Sequence, residues 1–141
     1  MAIATANQTP IYSRVGDIHW SAAAILAANT AKDGTGTVTT VFTADATDGG
    51  FVTRVTFRAL GTNVATVARL FINNGLVNTT AANNALHSEV TLPATTLSEV
   101  AALTNQEISL GIALPPGFKL NVTLGTAVAA GYMVSTIAGK Y

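Results

Sequence analysis

An all-β sandwich of about eight short strands is what this 141-residue sequence predicts. Three observations carry it. Apolar and polar residues alternate with period two through most of the chain from Thr37 onward, Gly, Pro and Asn punctuate the alternating segments, and no stretch sustains a long helical period. At this length one domain with its own core is expected.

The elements follow in chain order. Residues 1–16 read as an extended N-terminal arm: "MAIATANQTP" is small and polar, and Pro10 leads into "IYSRV". The sandwich domain then spans 17–141. "DIHWSAAAILAANTA" (17–31) is read as irregular with one short strand, because Asn29, Thr30 and the following "KDGTG" cut off any helix. In "TVTTVFTA", Val38, Thr40, Phe42 and Ala44 share one face, and Thr37, Thr39, Val41 and Thr43 the other. "DATDGG" (45–50) is a turn. "FVTRVTFRAL" places Phe51, Thr53, Val55, Phe57 and Ala59 on one face, with Arg54, Thr56 and Arg58 opposite.

"GTN" (61–63) predicts a tight hairpin into "VATVARLFIN", where Val64, Ala68, Leu70 and Ile72 face inward and Val67, Arg69 and Phe71 outward. "HSEVTLP" is the next strand, closed by Pro93. "EISLGIAL" buries Ile108, Leu110, Ile112 and Leu114, and "PPG" (115–117) turns the chain into "FKLNVTLG". There Phe118, Leu120, Val122 and Leu124 point inward, with Lys119, Asn121 and Thr123 outward. "YMVSTIAGKY" ends the chain.

Composition narrows the function. Seven basic and seven acidic residues make 10% of the chain, against about 25% in an average domain. A monomer of this length exposes about 6,800 Å², so its charges are spread at about one per 490 Å². Zero net charge supplies little self-repulsion, and stable association into an oligomer is expected. Nucleic acid is not an expected partner, because a phosphate backbone selects a basic excess. Nor is a membrane: the longest apolar run, "AAAILAA" (22–28), is far short of a bilayer span. The N-terminus has neither a basic nor an apolar signal region, so a soluble chain without a leader is expected.

No constellation for catalysis is legible. The two histidines, His19 and His87, lie in unrelated contexts, and no Gly-x-Ser-x-Gly elbow surrounds any serine. Without cysteine, and with no ligand spacing between the histidines, a zinc site is not expected. Asp33, Asp45 and Asp48 offer hard oxygens near glycines, but turns use aspartate for their own hydrogen bonds. No catalytic residue, cofactor or metal ligand is assigned. Trp20 reads as a core or interface plug, and aromatics are too few for a sugar-binding platform.

The remaining candidates are contact residues. Arg54, Arg58 and Arg69 project from the outer face of one predicted hairpin, either as a solvated surface or as a contact stripe for a partner. Ile11, Tyr12 and Arg14 form a compact anchor after Pro10 on the arm.

Three stretches also carry a resemblance: "DGTGTVTTVFTADATDGGFVTRVTFRALGTNVATVARLFINNG" (33–75), "LPATTLSEVAAL" (92–103) and "ALPPGFKLNVTLGTAVAAGYMV" (113–134). Together they cover more than half of the chain. They resemble small virion proteins of tailed bacteriophages that serve as head decoration or cement proteins. The resemblance implies a jelly-roll-like sandwich, a homotrimer, and a place on the outer capsid surface bridging neighbouring capsomers after synthesis in the host cytoplasm. The implied partners are the major capsid protein and further copies of the chain. A tail, neck or head-fibre module that binds a host surface carbohydrate is the competing expectation.

Overall fold

The computed structural model describes residues 16–140. Eight antiparallel strands make up two four-stranded sheets. They are β1 (Asp17–Trp20), β2 (Thr39–Thr43), β3 (Gly50–Ala59), β4 (Thr66–Asn73), β5 (Asn84–Leu92), β6 (Gln106–Leu114), β7 (Lys119–Leu124) and β8 (Tyr132–Lys140). The first sheet has the order β1-β8-β3-β6 and the second β2-β7-β4-β5. The pairs β1·β8, β2·β7, β3·β6 and β4·β5 are therefore nested, each partner equally far from the middle of the chain order.

The core lies between the sheets. Val52, Val55 and Phe57 of β3 and Val134 and Ala138 of β8 enter it from the first sheet. Ala68 and Leu70 of β4 and Leu120, Val122 and Leu124 of β7 enter from the second. Each fully buried large side chain contributes about 1.5–3 kcal/mol, and period-two alternation is what brings them to one surface.

Several expectations need correction. The hairpin at 61–63 does not form. β3 and β4 belong to different sheets, and the 60–65 connection carries the chain across the sandwich. Asn63 turns inward there and is buried. Its Oδ1 accepts from the backbone N–H of Ala130 (2.8 Å) and Gly131 (2.9 Å), and its Nδ2 donates to the Gly131 carbonyl (3.1 Å). Its backbone pairs with Thr95.

Two bulges also reset the faces. In β3 the register against β8 shifts between Val52 and Arg54, so Thr53 is extra there, whereas against β6 the extra residue lies on β6, where Leu110 and Gly111 oppose Thr53. Val52 is consequently buried and Phe51 is turned out, 42% exposed. In β2 the shift between Thr40 and Phe42 lets Val41 and Phe42 both reach the core. Val64 precedes β4 and is exposed rather than inward. Trp20 is not a core plug, being 62% exposed on β1.

Candidate contact surface

The histidines and the loop aspartates are dispersed and engaged. His19 faces inward on β1, with Nε2 3.2 Å from the Ala138 carbonyl and its ring edge-on to Phe42 at 5.2 Å. His87 is the extra residue of a bulge in β5, exposed, with Nδ1 2.6 Å from Ser88 Oγ. Its neighbour Glu89 is taken by Arg69. Asp33 accepts from the backbone and hydroxyl of Thr35. Asp45 accepts from the N–H groups of Thr47 and Asp48, and Lys140 bridges Asp48 (2.9 Å) and Asp45 (3.5 Å). Among the described residues, no three His, Cys, Asp or Glu side chains converge on a point that could hold a metal ion.

The three arginines do not share a face. Arg54 and Arg58 stand on the outer face of the first sheet. Arg54 Nε lies 3.8 Å from Glu107 Oε2 across the β3–β6 pair, both side chains half exposed, and Arg58 Nη1 donates to Asn105 Oδ1 at 2.7 Å. Arg69 stands on the outer face of the second sheet. Its Nε donates to Glu89 Oε1 at 2.8 Å, and only 12% of its side chain is exposed. Gly125 makes room for it, since a Cβ there would lie 3.3 Å from Nη1. Ile11, Tyr12 and Arg14 lie outside the described residues.

The two outer faces are finished differently. On the second sheet, Phe71, Asn73, Asn121 and Thr123 point away from the core yet are buried. Alternation placed Phe71, Asn121 and Thr123 outside correctly; what it did not show is that the chain covers them itself. The segment around Asp33–Gly36 and the loop 74–83 are stitched together above this sheet by side-chain amides. Asn78 Nδ2 donates to the carbonyls of Gly34 (3.1 Å) and Gly36 (2.7 Å), and Asn84 Nδ2 to those of Asn78 (2.8 Å) and Asp33 (3.1 Å). Among the described residues, no such cover lies on the first sheet. Ile18 and Trp20 on β1 and Phe51 on β3 are exposed there, with Met133 and Ile137 of β8 half-buried between them.

The ends of the sandwich differ as well. One end is built from 21–28, 60–65, 93–105 and 125–131, and Glu99 is the single charged residue in all four segments. Leu26, Leu60, Val64, Leu97 and Val100 are exposed on it, among alanines and threonines. The opposite end gathers Asp45, Asp48, Lys119 and Lys140. Sequence reasoning missed the uncharged end, although a signal was present. Surface loops are ordinarily polar, whereas "SAAAILAA", "LGTNVA" and "GTAVAAG" hold no charge at all. Comparison with known proteins finds no matching family model, no matching curated protein and no matching solved structure.

Proposed function

We propose that this chain is a non-enzymatic structural protein of a bacteriophage head. It decorates the outer capsid surface as a homotrimer and cements contacts between capsomers. The observation that carries the reading is the almost chargeless loop end, together with the exposed Ile18, Trp20 and Phe51 on the outer face of the first sheet. A cement protein acts through many weak contacts made together after the shell has formed, so avidity replaces any single strong site. Broad apolar surface without a convergent polar pocket suits that task. The orders β1-β8-β3-β6 and β2-β7-β4-β5, with four nested pairs, support a jelly roll: they are what results when one long hairpin of eight strands is rolled up. The sequence resemblance points the same way.

Purified protein mixed with heads assembled from the major capsid protein of the same phage tests the reading. Co-sedimentation at a fixed copy number per capsomer, with a raised disruption temperature of the heads, is expected. Heads that leave the protein in the supernatant overturn it.

One observation favours a second reading, a tail, neck or head-fibre module for host carbohydrate. Trp20, 62% exposed, borders the groove between β1 and β2 with His19, Thr40 and Thr43, and an exposed indole is a stacking surface for a sugar ring. Quenching of its fluorescence by a host surface polysaccharide, without head binding, would select this reading.

A further inference from the structure

Among the described residues, two of the three buried side-chain polar atoms without a hydrogen-bond partner stand on one cross-strand pair. They are Arg69 Nη1 on β4 and Thr123 Oγ1 on β7, and the two residues lie directly opposite in the register, both on the outer face of the second sheet. Native folds leave few such groups, and an unpaired buried donor that carries charge is the costliest kind. Glu89 does not relieve it, because its carboxylate holds only Nε, at 2.8 Å. We propose that Arg69 and the cavity beside it bind a carboxylate, supplied by a short-chain acid in solution or by an acidic side chain of another protein. The site stands whether or not the chain coats a capsid.

The cavity, of about 300 Å³, is lined by Thr66, Val67, Arg69, Thr91, Gly125 and Thr126. Its walls are tied together by the fold. Thr66 Oγ1 donates to the Thr126 carbonyl (3.3 Å) and accepts from the Thr126 N–H (2.9 Å), and the Gly125 N–H donates to the Val67 carbonyl (2.8 Å). Walls fixed in advance lower the ordering cost of binding. Gly125 leaves the guanidinium room to turn toward the cavity, since a Cβ there would lie 3.3 Å from Nη1 and 3.6 Å from Nη2. Charge and shape select the ligand. The lining holds one cation and no carboxylate, so it wants an acceptor. Glu89 already offsets part of the Arg69 charge, which disfavours a doubly charged phosphate. The planar fork of the two Nη groups matches the two oxygens of a carboxylate. The Thr123 hydroxyl beside it can donate as well, and the methyl groups of Val67, Thr91 and Thr126 suit a short aliphatic body.

Butyrate is the probe and butyramide its neutral isostere, read as the shift in thermal midpoint of the full chain at neutral pH and constant ionic strength. A saturable rise with butyrate, half-complete at millimolar concentration, and none with butyramide is expected. Arg69→Gln, judged against its own midpoint, should bind butyrate about tenfold more weakly or worse, as the loss of a charged hydrogen bond implies. No saturable rise in the wild type, an equal rise with butyramide, or an undiminished response in Arg69→Gln overturns the proposal. Inorganic phosphate binding as tightly as butyrate overturns it too. Should Arg69→Gln fail to fold, Gly125→Val decides, because it keeps Arg69 and Glu89 and sets methyl groups against the guanidinium; an unchanged butyrate response there overturns the proposal. Head binding then identifies the source. Butyrate that releases the chain from heads marks a protein carboxylate as the ligand, and butyrate that leaves the heads coated marks a free acid; both uphold the site. Heads that never bind the chain overturn the capsid role and leave the site standing.

Discussion

Where β3 passes into β4, the loops are pinned by the buried amide of Asn63; where β2 turns into β3, they are pinned by Lys140 held between Asp45 and Asp48. The first device is neutral and hidden, the second ionic and wet. Buried neutral hydrogen bonds are costly to remove and indifferent to salt and pH. Exposed ion pairs are weak, screened by salt and titratable. Pinning one end from inside leaves its surface free of charge and fit to be covered by another molecule. The other end keeps its charges in water.

The largest effect should come from breaking the neutral pin. Asn63→Ala leaves the N–H groups of Ala130 and Gly131 without an acceptor, at about 1–3 kcal/mol each, so a loss of about 2–6 kcal/mol is expected in urea denaturation. A loss no larger than that of an ordinary surface substitution would mean that Asn63 does not hold this end. At the charged end a backbone constraint comes next. Gly49 has a φ of 76°, and a Cβ there would lie 2.5 Å from the Leu114 carbonyl oxygen. Gly49→Ala should cost at least about 1–3 kcal/mol through backbone strain, read as a shift in the denaturation midpoint.

These two positions also show what was legible in the sequence. Strands β6, β7 and β8 were readable because their alternation is unbroken and their turns carry Pro or Gly. The bulges at Thr53 and in β2 were not, since an extra residue changes parity without changing composition, and Phe51 and Val52 therefore exchanged faces. "GTN" resembles a hairpin turn because Gly and Asn suit one; only tertiary contacts reveal that Asn63 is spent on residues 130 and 131. The arginine stripe failed for the same reason, as the supposed hairpin put Arg69 beside Arg58 when they lie on opposite sheets. The uncharged end is scattered over four loops, and no local pattern joins them.

Titration should separate the two ends with smaller effects. The N–H groups of Asp48 and Thr47 hold the Asp45 carboxyl below the usual carboxylate range, and Lys140 adds to this. Its folded pKa is depressed, so its stabilisation is present above the unfolded value of about 3.9 and is lost as pH falls through the lower folded value. Asp33, held low by Thr35, adds to the same limb. Lys140 is pushed up by the hydrogen bond from its ammonium to Asp48 and by the charges of Asp45 and Asp48. That stabilisation is complete below about 10.4 and is lost as pH rises through the folded value. Burial pushes the Tyr132 phenol up, with the same alkaline sign. Asp45→Asn should flatten the acid limb of a stability–pH curve, and Lys140→Gln and Tyr132→Phe should each remove part of the alkaline limb. Molar salt should mimic Lys140→Gln and leave the Tyr132 share intact.

The smallest effects belong to the arginines of the bare face, and they repeat the contrast on a finer scale. Arg54 and Glu107 are half exposed at 3.8 Å, and Arg58 touches only the amide of Asn105. In the isolated chain, Arg54→Gln and Arg58→Gln should each change stability by less than about 0.5 kcal/mol, as for other wet surface positions. Arg69→Gln should cost more, about 1–2 kcal/mol, because its guanidinium is largely covered and its bond to Glu89 is 2.8 Å. Urea denaturation of the three single variants measures this order directly. If Arg54 and Arg58 also meet carboxylates of a neighbouring molecule, their replacement should weaken assembly or head binding while the folding midpoint stays fixed. Equal losses at all three positions would erase the distinction between the covered sheet and the bare one. Unchanged assembly and head binding in the Arg54→Gln/Arg58→Gln double variant would assign both side chains to water alone.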